Sequence, residues 1–443
     1  MTTCDVTIEL TCEQALAAWP ADVPLAALWS GDRHPASRWT VLGRPSQVTR
    51  LGKGQLDAVG RGLAVARDGA GWFVCLSYEL GSELEPVAGG ATGDWPLVTL
   101  LRCEDAWVHD GTSGVWSRVG SPPKLQAPQA GAPWHVEALK SGMGEAEYVR
   151  RAGRCVDYIR AGDVYQVNLS HPLEGTFSGS ARSLFRDWVV RSGCWYGAYL
   201  EWDESGARRA VLSASPELFL SFDPVTRRLV TRPMKGTRPS GGVSGQGAED
   251  LRDSPKERAE LTMIVDLMRN DLGRVCEIGS VRVDDPRRIE RHAGLGVLQA
   301  TATVSGTLAA ERTWWDVIRA TFPGGSVTGA PKVRAMQIIR ELEARPRGPY
   351  CGCIGFVSDS GAFQFNIAIR TALIKGVGTP GTLDGLRDGG VSYSVGAGIV
   401  ADSNPHAEWR ETIDKARVFL ERAGGVTSPA LRRSCASGAA HPA

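Results

Sequence analysis

The sequence predicts an α+β protein built mainly on antiparallel strands. Segments that alternate apolar and polar residues with a period of two dominate the middle and end of the chain. Helical segments lie among them, but without the strand–helix–strand rhythm that builds a parallel sheet. At 443 residues the chain either divides into domains or forms one large double-layered body.

The elements follow in chain order. "EYVRRAGRCVDYIRAGD" (147–163) is amphipathic and predicts a helix ending at Gly162. "RPMKGTRPSGG" (232–242) reads as a Gly/Pro loop that carries Lys235 between Arg232 and Arg238. "SPKERAELTMIVDLMRNDLGRV" (254–275) predicts a helix with Ser254 as its cap and Pro255 at the first helical position. "GAFQFNIAIRTALI" (361–374) predicts one strand, with Phe363, Phe365, Ile367 and Ile369 on one face and Gln364, Asn366, Ala368 and Arg370 on the other. "VSYSVGAGIV" (391–400) alternates in the same way until its glycines, and "PHAEWRETIDKARVFLERAG" (405–424) predicts a closing helix. Residues 120–135, rich in Pro, Gly and Ala, mark a connector. The division is an N-terminal portion over 1–120, a connector over 121–144, a main body over 145–422 and a disordered tail over 423–443. Residues 376–390 read as an irregular hairpin loop.

Composition excludes several classes. A net charge of +1, with 22% charged residues, carries no nucleic-acid or polybasic membrane footprint. Apolar runs stop well short of a membrane span, and the N-terminus has acids but no basic region of a secretory signal. The expectation is a soluble, cytoplasmic protein. Ten scattered cysteines, with only Cys351 and Cys353 close together, predict reduced and mostly buried thiols.

Residue spacing offers several sites for chemistry. Glu257 and Glu260 share one helix face, and Glu408 and Glu411 repeat the spacing, with Lys415 four residues on. Two such faces can hold one Mg²⁺ with water and substrate completing its shell. The same residues also fit a capping box at Ser254 and an ordinary Glu411–Lys415 pair. Arg370 suits bidentate capture of a carboxylate, or an exposed strand face. Gly396 and Gly398 allow close backbone approach or mark a bulge. Glu217, entering an apolar run after Pro216, is a general acid or base if buried, and otherwise a turn residue.

Seven motifs occur in the order seen in chorismate-utilising enzymes: "YIRAGDVYQVNLS" (158–170), "SASPELF" (213–219), "RPMKGTRP" (232–239), "ERAELTMIVDLMRNDLGRV" (257–275), "TFPGGSVTGAPKVRAM" (321–336), "IAIRTAL" (367–373) and "GAGIVADSNPHAEWRETIDKA" (396–416). The chain resembles that family strongly over 145–422 and more loosely over 20–110. Within the family it resembles aminodeoxychorismate synthase component I, and is similar also to the anthranilate synthase large subunit. The resemblance implies a sandwich of two large antiparallel sheets with helices outside and the active site in a cleft. It implies Mg²⁺ at Glu260 and Glu411, with Glu257 and Glu408 beside them. It matches Tyr350 and Arg370 to the pair that holds the enolpyruvyl carboxylate, Gly396 and Gly398 to backbone contacts, and Lys415 to a substrate lysine. Ser326 or Thr328 matches a hydroxyl of the cleft, and Glu217 the acid that protonates the departing hydroxyl.

Three positions divide the subfamilies. Lys235 matches a lysine that adds to the ring of chorismate and is then displaced by ammonia; anthranilate synthases typically carry alanine there. Arg232 and Arg238 are expected to disfavour its protonated form. Gln166 stands where isochorismate and salicylate synthases carry a water-activating lysine. Gln299 replaces a histidine of many relatives, one linked to pyruvate elimination. The sequence shows no glutaminase segment, so the resemblance implies a separate glutamine amidotransferase subunit as the source of ammonia, and 4-amino-4-deoxychorismate as product, on the way to 4-aminobenzoate.

Overall fold

The structure, a computed structural model, describes residues 4–5, 8–32, 37–62, 69–85, 93–240, 246–292, 297–343, 345–379 and 383–420. The expected disordered tail, 423–443, lies outside them. Among these residues the strands form one hydrogen-bonded network, antiparallel at every pairing, with two arms that diverge from β5 (Val98–Asp110). The first arm runs from β5 through β4 (Gly71–Leu76), β17 (Cys353–Ser358), β18 (Phe363–Ile367), β11 (Leu218–Asp223) and β12 (Arg228–Arg232) to β15 (Val297–Thr307). There β13 (Met234–Pro239) and β14 (Arg282–His292) also pair with β15.

The second arm runs from β5 through β3 (Trp39–Leu51), β2 (Ala26–Trp29), β9 (Tyr196–Glu204), β10 (Ala207–Ser215), β19 (Thr371–Gly378) and β20 (Gly385–Ile399) to β8 (Gln166–Ser180). β7 (Trp134–Ser141) and β16 (Gly329–Ala330) complete that edge. β6 (Val115–Val119) pairs with β5, and β1 (Cys4–Asp5) with β6. Thus 121–144 is irregular only in its first part and then supplies β7. Residues 376–390 belong mostly to strands β19 and β20.

The two arms pack face to face, as a sandwich requires. One buried cluster joins Leu28, Leu200, Val211 and Leu373 of the second arm to Phe73, Leu101, Ile354 and Phe356 of the first. Helices cover the outer faces: α1 (Cys12–Ala17), α2 (Asp57–Gly62), α3 (Leu80–Leu84), α4 (Glu145–Arg160), α5 (Ala181–Ser192), α6 (Gln246–Asp253), α7 (Pro255–Gly273), α8 (Trp314–Thr321), α9 (Lys332–Glu343) and α10 (Pro405–Leu420).

Two helices position the site. α7 begins where Ser254 Oγ accepts the Glu257 N–H and Pro255 occupies the first turn. It buries Leu261, Ile264, Val265, Met268 and Leu272, a stripe at three- and four-residue spacing. Full burial of Ile264 and Leu272 contributes roughly 2–3 kcal/mol each. α10 buries Trp409, Ile413, Ala416 and Phe419, and Trp409 stacks on His171 of β8 with ring centroids 4.7 Å apart. No helix among the described residues is long and apolar enough to cross a membrane. The cysteines Cys12, Cys75, Cys103, Cys155, Cys194, Cys276, Cys351 and Cys353 are free and buried, as expected.

Candidate active site

Two short, adjacent connections carry the chain directly from one arm to the other. β10 ends at Ser215 in the second arm and β11 begins at Leu218 in the first, so Pro216 and Glu217 form a crossover. β18 ends at Ile367 in the first arm and β19 begins at Thr371 in the second, so Ala368–Arg370 form the return. The crossovers are bonded to each other: Ile367 N–H donates to Glu217 O at 3.1 Å and Ala214 N–H to Arg370 O at 2.9 Å. The single strand expected over 361–374 is therefore two. Arg370 sits not on a strand face but at the break, with φ of +49°.

Glu217 is buried, with 4% exposure. Burial pushes its carboxyl up to about 7, against hydrogen bonds from Ser326 and the Met234 N–H and against the charges of Lys235 and Lys415. Of the two hydroxyls left open by the sequence, Ser326 meets Glu217. The Thr328 hydroxyl instead donates to Gly324 O (3.0 Å) and Gly325 O (3.3 Å). Arg370 forms no ion pair among the described residues. Burial lowers its pKa, and the groups opposing that shift are Tyr393 and Cys194. Among the described residues no hydrogen bond or ion pair joins Arg370 to Tyr350. The Tyr350 hydroxyl instead lies 3.1 Å from where a Cβ on Gly396 would stand.

Lys235 is on a strand, not in a loop. β13 pairs Lys235 with Ala300 and Thr237 with Gln299. Its side chain is 13% exposed, and Nζ lies 3.9 Å from Glu260 Oε2. Its pKa is lowered, by burial first and by the charge of Lys415 next, against Glu260, Glu217 and Glu411. The direction is the expected one, but the cause is not. Arg232 is turned to Glu290 (2.7 Å) and the Tyr196 hydroxyl (3.1 Å), and Arg238 to Glu257 (3.3 Å). Both arginine charges are thereby offset, so desolvation replaces arginine repulsion as the reason.

The far strands of the arms meet here. A Cβ built on Gly398 of β20 would lie 3.1 Å from Lys235 Nζ and 3.1 Å from Gln166 Nε2, so the absent side chain leaves room between them. Gln166, wholly buried at the start of β8, has no hydrogen-bond partner for either amide atom. Gln299 donates to Thr237 Oγ1 at 3.2 Å and leaves its Oε1 unpaired. Buried polar atoms without partners cost about 1–3 kcal/mol each and suit a polar ligand.

The glutamates of α7 and α10 approach the same place. Burial and the neighbouring Glu257 and Glu411 charges raise Glu260. Glu408, raised by burial and by Glu411, accepts from Ser403 Oγ at 2.7 Å. Lys415 Nζ binds Glu411 at 2.7 Å and Gly396 O at 3.0 Å, holding the Glu411 carboxyl below its usual range. The donors are all carboxylate oxygens, which suit a hard cation such as Mg²⁺. They form no closed cage: three ligand atoms within 4.8 Å of one another occur, among the described residues, at Cys12, Asp32 and His109 instead. Lys256 was not singled out from the sequence. Its ammonium stands 4.0 Å from Glu260 and also acts on Glu408 and Glu411; its four-residue spacing from Glu260 was the available signal.

A family model described as chorismate binding enzyme matches residues 31–421. The chain belongs to the chorismate-binding enzymes. Curated relatives about 40% identical to the chain carry two names. Anthranilate synthase component 1 of Streptomyces coelicolor is 41% identical over 288 residues, 64% of this chain and 53% of its own length. Aminodeoxychorismate synthase component 1 of Klebsiella aerogenes is 40% identical over 299 residues, 67% of this chain and 62% of its own length. The chain thus matches about half to three-fifths of the length of these chorismate-binding relatives. Among solved structures, anthranilate synthase component I from Streptococcus pneumoniae is 25% identical with a TM-score of 0.70, covering 87% of this chain and 92% of that one. The menaquinone-specific isochorismate synthase of Escherichia coli, at 18% identity, shares the fold with a TM-score of 0.72, covering 94% and 93% of the two chains.

Proposed function

We propose that this chorismate-binding enzyme is an aminodeoxychorismate synthase component 1, making 4-amino-4-deoxychorismate from chorismate and ammonia. The observation that carries the reading is the buried Lys235 amine, poised near Glu217 and Gln166 with its protonated form disfavoured. Neutral Lys235 adds to the ring carbon conjugated to C4. The double bonds shift, the C4–O bond breaks, and Glu217 supplies the proton that lets the hydroxyl leave as water. Glu217, now a carboxylate, takes a proton from the new C–N⁺ centre. Ammonia then adds at C4, the double bonds shift back, and the Lys235–carbon bond breaks. The incoming nitrogen's extra proton returns the system to neutral Lys235 and protonated Glu217. The net change is chorismate plus ammonia to aminodeoxychorismate plus water.

Arg370, lacking a counter-ion among the described residues, takes the enolpyruvyl carboxylate. Glu260 and Glu411, with Glu257 and Glu408 behind them, would hold Mg²⁺, which when bound neutralises the ring carboxylate. The orphaned amide of Gln166 donates to substrate but cannot activate water as a lysine would. Ammonia would come from a separate glutamine amidotransferase, in keeping with the "component 1" in the relatives' names.

The split of relatives favours one second reading, anthranilate synthase. The test is product identity after incubation with chorismate, Mg²⁺ and ammonium. 4-Amino-4-deoxychorismate supports the first reading. An ortho-amino aromatic product, with release of pyruvate, overturns it.

A further inference from the structure

We propose that Cys12, Asp32 and His109 form a binding site for a zinc ion, remote in chemistry from the glutamate site. The three residues come from different segments: the first position of α1, the turn after β2, and β5. Cys12 Sγ lies 3.3 Å from His109 Nδ1, and one ligand atom from each residue falls within 4.8 Å of the other two. Zn–S and Zn–N bonds of ~2.3 and ~2.0 Å at a tetrahedral angle put the two donors about 3.5 Å apart, so a small opening admits the ion. Cys12 is wholly buried and His109 4% exposed, while Asp32 reaches solvent. Two ligands are thus fixed, and the third faces an entry path.

Charge favours a dication. Burial and the nearby Asp32 charge keep the Cys12 thiol protonated in the empty site. A Zn²⁺ ion displaces that proton to solvent. Thiolate, carboxylate and neutral imidazole then sum with the ion to zero net charge, the arrangement that buries at least cost. The surroundings hold the ligands in place. The Asp32 carboxylate accepts the Cys12 N–H at 2.6 Å, and the His109 ring lies 5.1 Å from that of Trp116, whose N–H is tied to Leu10 O at 2.9 Å. A mixed sulfur, nitrogen and oxygen set with one open position selects zinc over magnesium.

The test uses the full chain, stripped with chelator and titrated with Co²⁺ as a spectroscopic substitute for zinc. The expected result is one Co²⁺ per chain, with a thiolate-to-cobalt charge-transfer band that added Zn²⁺ abolishes. Cys12→Ala and His109→Ala should lose the band. Asp32→Asn, an exposed change that leaves the core intact, should weaken Co²⁺ binding by at least about tenfold, the lower limit seen for loss of an outer partner. Glu260→Gln should leave the band unchanged. Absence of the band in the unmodified chain, its persistence in Cys12→Ala, or unchanged affinity in Asp32→Asn would each overturn the proposal.

Discussion

The two arms of the sheet make unequal contributions to the site. At its far end the first arm, through β13 and the crossover into β11, supplies ionisable groups with altered proton affinity: Lys235 lowered and Glu217 raised. The second arm, through β8, β20 and the return crossover, supplies groups that do not titrate near neutrality: the amide of Gln166, the glycine backbone at Gly396 and Gly398, and the Arg370 guanidinium. Burial acts on both arms, but at the site it is on the first that it raises a carboxyl toward neutrality and lowers an amine. The first arm is therefore suited to bond making and the second to holding the substrate. A kinetic split follows: variants of the first arm should lower kcat, and variants of the second should raise KM.

The largest break is expected at Lys235. Lys235→Ala should lower kcat on the order of a thousandfold while KM changes little, read by steady-state kinetics with ammonium. Lys235→Arg should not rescue, because a guanidinium stays protonated. Incubating the unmodified protein with chorismate in the absence of ammonia should give an adduct on the peptide carrying Lys235, detected by mass spectrometry. High turnover in Lys235→Ala would mean that ammonia attacks directly.

Glu217→Gln comes next, with kcat down about a hundredfold. An inflection of kcat/KM near pH 7 should vanish with the carboxyl. The same group leaves a trace in stability. Because the folded protein holds this proton more tightly than the unfolded chain, the contribution is full below the ordinary carboxyl range. It is lost as pH rises through about 7, an effect of about 3 kcal/mol in the ligand-free protein. Denaturant titrations between pH 4 and 8 should show that loss, and show it flattened in Glu217→Gln.

These contrasts also mark what was legible before the structure. The helices α7 and α10, with their paired glutamates and apolar stripes, follow from local spacing, and the family motifs carry Gln166, Glu217, Lys235, Arg370 and the four glutamates, but not Lys256 or Glu290. The crossovers do not follow. The alternation of Phe363, Phe365, Ile367 and Ile369 reads the same whether the strand runs straight or changes sheets, and only the pairings of β18 and β19 show the change. The cause of the Lys235 shift was hidden for a similar reason. Its sequence neighbours Arg232 and Arg238 find carboxylates at Glu290 and Glu257, over fifty and nineteen residues away in the chain, while burial comes from both arms. Cys12 and His109, 97 positions apart, carry no spacing signal at all.

The second arm is tested first at Arg370. Arg370→Lys keeps the charge but loses the planar fork, so KM for chorismate should rise about thirtyfold with kcat nearly unchanged. Unchanged KM would remove Arg370 from substrate binding and, with it, half of the contrast between the arms.

The smallest expected effect sharpens the comparison most, because it sits where the arms touch. Gly398→Ala adds one methyl 3.1 Å from Lys235 Nζ and from Gln166 Nε2. Both neighbours are the far ends of side chains, which give way by a few tenths of an ångström, so the fold should keep its stability within about 0.5 kcal/mol. The methyl nevertheless occupies space between the reactive amine and the binding amide. If that space admits the substrate ring, KM should rise about fivefold, equivalent to about 1 kcal/mol, while the Lys235 adduct still forms at saturating chorismate. If instead kcat falls and KM holds, the methyl has displaced the amine rather than the ring. Gly398 would then belong functionally with Lys235, and the division of labour between the arms would fail at their point of contact.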